Sequence, residues 1–149
     1  MAIRELLEQK GHPVITIDGG RTVDEALQLM AANKVSALVV LEHQRPVGMF
    51  AERDVLRTYL AHRQRPFSEV SMREAMTPRL VTASPDDNAA SMLDAMLRED
   101  IRHLPVVENQ SIVGMLTAKD LIEHRLGYLD AELDYLREYI ADLHEAGRD

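Results

Sequence analysis

The chain has 149 residues, is 46% hydrophobic and contains no cysteine, which excludes disulfides, thiolate metal sites and a cysteine nucleophile. A net charge of −8, with no Trp, two Phe and four Tyr, argues against a phosphate-backbone partner or an aromatic platform for nucleic-acid bases. No run approaches the roughly 18 apolar residues of a membrane span, and the charged start MAIRELLEQK is unlike a signal peptide; a cytoplasmic protein with neither nucleic-acid nor membrane partners is expected.

In chain order, PVITI (13–17) is a short β-rich run. Thr22 and Glu25 set up a capping box for a helix over 22–34, in which Val23, Ala26, Leu27 and Met30 recur at helical spacing. SALVVLE (36–42) reads as a buried strand, HQRP as a hairpin turn and VGMF (47–50) as the return strand. A helix follows through Asp54. The order then repeats: RLVTA (79–83), a helix capped by Asn88 and carrying Met92, Leu93, Met96 and Leu97, the strand HLPVVE (103–108), the turn NQS, the return strand VGML (113–116) and a last helix after Thr117. Beyond it, YLDAELDYLREYIADL places Leu129, Leu133, Leu136, Ile140 and Leu143 at four–three spacing, an a/d stripe of two heptads with acidic outer faces. So short a segment is not a stable free helix, and it packs either on its own chain or across a dimer interface.

The repetition has a fixed register. At an offset of 66, residues 33–57 fall on 99–123 without a gap, with identities that include Leu38/Leu104, Val40/Val106, Gly48/Gly114, Met49/Met115 and Asp54/Asp120. One strand–helix–strand–strand–helix unit has a sheet with helices on a single face, so its open face needs a partner. Two copies in one chain supply it, giving an α+β pseudo-dimer packed sheet to sheet.

The segments AMTPRLVT, IRHLPVVE and VGMLTAKDLI, with VSALVVLE and VGMFAERDVLR in the first copy, resemble a tandem pair of cystathionine β-synthase (CBS) domains. The resemblance covers about residues 2–126 and divides the chain into a first unit at 2–66, a second at 67–126 and a C-terminal amphipathic helix at 127–149. It implies a stand-alone, non-catalytic regulatory module that binds an adenosine nucleotide (AMP, ADP, ATP or an NAD-like molecule), signals to a partner protein and forms a face-to-face homodimer. The alternative is a structural dimerisation or interaction module with vestigial clefts.

Thr117 stands where a strand gives way to a helix, beside unpaired helix-start N–H groups that favour phosphate. Asp120 lies three residues on, on the same face, where a carboxylate can accept from a ribose diol. The plainer reading of a Thr-x-x-Asp is a capping box. By position in the family, the stronger cleft would use Thr16, Val35, Ser36 and Ala37 with Gly114, Met115, Thr117 and Asp120, and Arg102 would point at phosphate through its paired donors. The opposite cleft would use Thr82, Ile101, Arg102 and His103 with Gly48, Met49, Arg53 and Asp54. Ala51 stands there in place of Thr, and the lost hydrogen bond to a charged oxygen, about 1.5–3 kcal/mol, makes that cleft the weaker one. His103 faces away from Arg102 by strand alternation and reads as a hydrogen-bonded structural histidine. The histidines show no metal-ligand spacing, the methionines fall at core positions, and no G-x-S-x-G, H-E-x-x-H, Walker A or G-x-G-x-x-G occurs, so neither a metal nor a catalytic constellation is expected.

Overall fold

The computed structural model describes residues 1–146; the end of the tail segment, 147–149, lies outside the described residues. The first helix, α1 (Ile3–Lys10), leads to β1 (Thr16–Asp18), α2 (Val23–Asn33), β2 (Ala37–Glu42), β3 (Arg45–Ala51) and α3 (Glu52–Ala61). A single turn, α4 (Met72–Ala75), opens the second half, followed by α5 (Ala89–Glu99), β4 (His103–Glu108), β5 (Ser111–Thr117) and α6 (Ala118–Ala146).

The N-caps form, but Thr22 and Glu25 make only half of the expected box, the Glu25 carboxylate pairing with Arg21 Nη1 at 3.0 Å. The Glu25 N–H donates to Thr22 Oγ1 at 3.2 Å and the Ser91 N–H to Asn88 Oδ1 at 3.0 Å, each satisfying an orphan donor at a helix start. Both helices stop on a left-handed residue, Lys34 at φ 54° and Asp100 at φ 56°. The hairpins β2–β3 and β4–β5 are antiparallel, and both carry an irregularity at the same place, Val40/Leu41 and Val106/Val107. Their two-residue turns are left-handed throughout, with His43 and Gln44 at φ 52° and 65° and Asn109 and Gln110 at 52° and 66°. Such turns match strand twist but favour glycine at the second place. Gln44→Gly and Gln110→Gly should therefore each stabilise the fold by about 1 kcal/mol, read as a rise in the denaturation midpoint; a fall would mean that the glutamine side chains hold the turns.

The two sheets are unequal. β1 runs parallel to β2, so the first sheet is three-stranded in the order β1-β2-β3, whereas the second holds only β4 and β5. The strand expected at 79–83 shrinks to one bridge: Ala83 N–H donates to the Pro105 carbonyl at 3.0 Å and Val107 N–H to the Ala83 carbonyl at 2.8 Å. It extends in neither direction because prolines interrupt the ladder: Pro105 has no N–H to give the Val81 carbonyl, as Val39 gives the Ile15 carbonyl at 3.1 Å in the first unit, and Pro85 has none to give β4.

Alternation along β2 divides the core. Leu38 and Val40 turn toward α2 and pack with Val23, Ala26, Met30 and Phe50; Ala37 and Val39 turn the other way and meet Met49 and Met115 between the two sheets. The second unit repeats this with Leu104, Val106 and Leu116 against Leu93, Met96 and Leu121. The short first helix crosses over: Ile3 and Leu6 of α1, both fully buried, complete the core of the second unit, while Val70, Met72 and Ala75 around α4 complete that of the first. Each of these side chains other than Ala75 contributes about 2 kcal/mol. The tail is no separate element, since α6 runs for 29 residues without a break at 126/127. Its last buried residue is Leu121, and from Arg125 onward every described position is exposed.

Candidate functional site

The two Thr/Ala-x-x-Asp turns lie at the β3–α3 and β5–α6 junctions. At the first, Asp54 is 5% exposed. Its Oδ2 accepts the Ala51 N–H at 2.8 Å, and its Oδ1 accepts the Thr77 hydroxyl at 2.7 Å and pairs with Arg57 Nη2 at 2.8 Å. At the second, Asp120 is 8% exposed. Its Oδ2 accepts the Thr117 N–H at 2.8 Å and lies 2.8 Å from His12 Nε2, while its own N–H donates to Thr117 Oγ1 at 3.2 Å. Thr117 and Asp120 thus form a complete capping box; at Ala51 only the carboxylate half is possible. Burial pushes the Asp120 carboxyl up, but the bonds from Thr117 and His12 outweigh it and hold it below the ordinary carboxylate range.

His12 and Thr77 occupy equivalent places. The His12 N–H donates to the Met115 carbonyl at 3.0 Å, as the Thr77 N–H does to that of Met49 at 2.8 Å, so each crossing segment carries one side chain to the aspartate of the other half. Neither was found in the sequence, because the register of 66 does not extend to this segment: His12 and Thr77 are 65 apart.

Two cavities open between the units. The larger, about 430 Å³, lies at the Ala51 turn. It gathers Met49, Arg53, Asp54, Ile101 and His103, as expected for that cleft, and adds Thr77, Arg79 and Val81. The smaller, about 240 Å³, lies at the Thr117 turn and gathers Val35, Ser36, Ala37, Met115 and Thr117 with His12 and Lys34.

Several expected residues are placed differently. Arg102, expected in both clefts, lines only the larger cavity, because it precedes β4 and its carbonyl is tied to the Ala118 N–H at 2.9 Å. Strand alternation does not reach it, so Arg102 and His103 line the same cavity. Thr16 and Thr82 are exposed and line neither cavity, their inward neighbours being Ile17 and Ala83. Gly48 and Gly114 also line neither. A Cβ at Gly48 would meet Met76 Sδ and the Thr77 carbonyl at 2.6 Å, and one at Gly114 would meet Leu7 Cδ1 at 2.6 Å, so both are glycine to let the crossing segments lie close. Asp120 lines neither cavity, its carboxylate being turned to His12 and the Thr117 N–H.

The larger cavity is rich in paired charge. Arg53 Nη1 lies 3.0 Å from Asp100 Oδ2, and Arg79 Nη2 lies 2.6 Å from Glu99 Oε2, so the acidic end of α5 holds both guanidiniums. Arg102 has no ion pair among the described residues. His103 lines both cavities, with Nε2 3.4 Å from Ser36 Oγ. Burial first, and then the Arg102 charge, push its imidazole below the ordinary histidine range. No cluster of three or more metal-ligating side chains occurs among the described residues, and no helix there is long and apolar enough to cross a membrane.

Comparison with known proteins agrees with the fold. The CBS domain family model matches twice, at residues 3–61 and 72–127. The CBS domain-containing protein YhcV of Bacillus subtilis is 33% identical over 116 residues, 76% of this chain and 79% of that protein. The crystal structure of the CBS-domain containing protein ATU1752 from Agrobacterium tumefaciens superposes with a TM-score of 0.74 at 27% identity, covering 84% of this chain and 99% of that one. The CBS domain pair of protein MJ0100, solved in complex with 5′-methylthioadenosine and S-adenosyl-L-methionine, has the same fold, with a TM-score of 0.71 at 21% identity over 86% of this chain and 98% of that one. The repeat is that of a tandem pair of CBS domains, and the chain belongs to the CBS domain family.

Proposed function

We propose that the chain is a non-catalytic regulatory module that binds an adenosine nucleotide in the larger cleft and passes its occupancy to a partner protein. One observation carries this reading: a cavity of about 430 Å³ brings an almost buried carboxylate, Asp54, together with the guanidiniums of Arg53, Arg79 and Arg102. That volume lies within the range of small-molecule sites, whereas about 240 Å³ at Thr117 falls below it. Asp54 would accept from the ribose diol, and Met49, Val81 and Ile101 would flank the base. Arg102, without a carboxylate partner, would take a phosphate, and Arg53 and Arg79 would exchange Asp100 and Glu99 for it. The complex of MJ0100 with adenosine-containing ligands is in keeping with this choice of ligand class.

A thermal-shift series over AMP, ADP, ATP, NAD and S-adenosylmethionine tests the reading. A ligand at 100 times its dissociation constant adds about 2.7 kcal/mol, several degrees in a chain of this size, and Arg102→Ala should weaken phosphate-bearing ligands roughly tenfold or more. Steady release of phosphate or adenine by the purified protein would contradict the non-catalytic part. The second reading, an interaction module with vestigial clefts, is favoured by one feature: both aspartates already serve as acceptors for their own helix starts. It would be upheld if no ligand in the series moved the transition.

A further inference from the structure

We propose that α6 pairs with α6 of a second copy of this chain as a parallel, two-stranded coiled coil. The apolar stripe is longer than the tail alone, because α6 continues unbroken from the second unit. Leu126, Leu133 and Ile140 fall at a, and Ile122, Leu129, Leu136 and Leu143 at d, over three heptads. All seven are between 37% and 57% exposed, so none of the described residues covers them. A helix with one uncovered apolar seam gains little from its own turns, and Gly127 within it costs about 1 kcal/mol more relative to alanine. Burial against an equal seam supplies what is missing.

The flanking charges choose the partner and its direction. In a parallel pair each g residue faces the e residue five places on in the other helix. Arg125 then meets Asp130 of the second copy, and Glu132 meets Arg137, each twice by symmetry. Turned antiparallel about Leu133 and Leu136, the pair keeps Asp130 with Arg137 and sets Glu123 beside His144. It leaves Arg125 opposite Ala146 and Glu132 opposite Tyr139. The parallel arrangement matches four full charge pairs and the antiparallel two. This inference does not depend on what the clefts bind.

The full chain carries its own test, since it has no cysteine. Light scattering should give twice the chain mass, and Leu133→Lys with Leu136→Lys in one chain should halve it while the melting of the body is kept. Leu143→Cys should cross-link almost completely on oxidation, because the parallel pair sets the two copies of that position across one d layer. In the antiparallel pair they would lie about 26 Å apart along the axis, and no cross-link would form. A single-chain mass for the unaltered protein overturns the proposal. So does a dimer that survives the two lysines, which would then rest on another face such as the exposed Leu56 and Leu60 of α3. A dimer without the Leu143→Cys cross-link overturns the parallel direction.

Discussion

Gly48→Ala is expected to destabilise the fold by about 3 kcal/mol and Gly114→Ala by about 1, although the two glycines are the same residue of the repeat. The added methyl meets different neighbours. At Gly48 it lies 2.6 Å from the Thr77 carbonyl oxygen, part of a backbone pair in which Met49 and Thr77 exchange N–H···O bonds at 3.0 and 2.8 Å, so relief requires breaking that pair. Thr77 also donates its hydroxyl to Asp54, and the carboxylate would be disturbed with it. At Gly114 the obstacle is the end of the Leu7 side chain, which can change rotamer. Urea denaturation of the two variants decides the matter. Equal losses, or a larger one at Gly114, would mean that the crossing segment after α4 yields more easily than α1.

The same crossing explains what could be read in the sequence. The fold was legible because two signals reinforced each other: strand alternation, with Leu38 and Val40 on one face and Ala37 and Val39 on the other, and a gapless repeat that fixed the same alternation at Leu104 and Val106. A repeat also shows that two clefts must exist. It does not show which side chains enter which cleft, because that is set by the segments where the register slips. Ile3 and Leu6 entering the second core, His12 reaching Asp120 and Thr77 reaching Asp54 all lie ahead of the aligned block. Arg102 was expected in both clefts by its position in the family, and its place one residue before β4 puts it in the larger alone. The strand expected at 79–83 failed for a local reason, the missing N–H of Pro105 at the place where Val39 of the first unit bonds the Ile15 carbonyl.

Asp54→Asn should weaken nucleotide binding tenfold to a hundredfold, and Asp120→Asn should leave the larger cleft within about threefold of its original affinity. Motif alone points the other way, since Thr117 and Asp120 are the intact pair and Ala51 has no hydroxyl. The geometry reverses the order: Asp54 lines the larger cavity with three guanidiniums, whereas Asp120 is turned to His12 and lines neither. Loss of a charged acceptor removes about 1.5–3 kcal/mol, which is the stated range in affinity. Asp54 also supports its own helix start through the Ala51 N–H, so the asparagine variant should melt lower whether or not ligand is present, and calorimetry rather than thermal shift is the proper measure. Ala51→Thr adds to this test. Its hydroxyl can accept the Asp54 N–H as Thr117 Oγ1 accepts that of Asp120 at 3.2 Å, which completes the box, adds about 1 kcal/mol and places a further donor at the helix start. Affinity in the larger cleft should then rise without a change in stoichiometry. If Asp120→Asn proves the more damaging change and Ala51→Thr leaves binding unaltered, the ligand sits at Thr117, and His12 must release Asp120 to admit it.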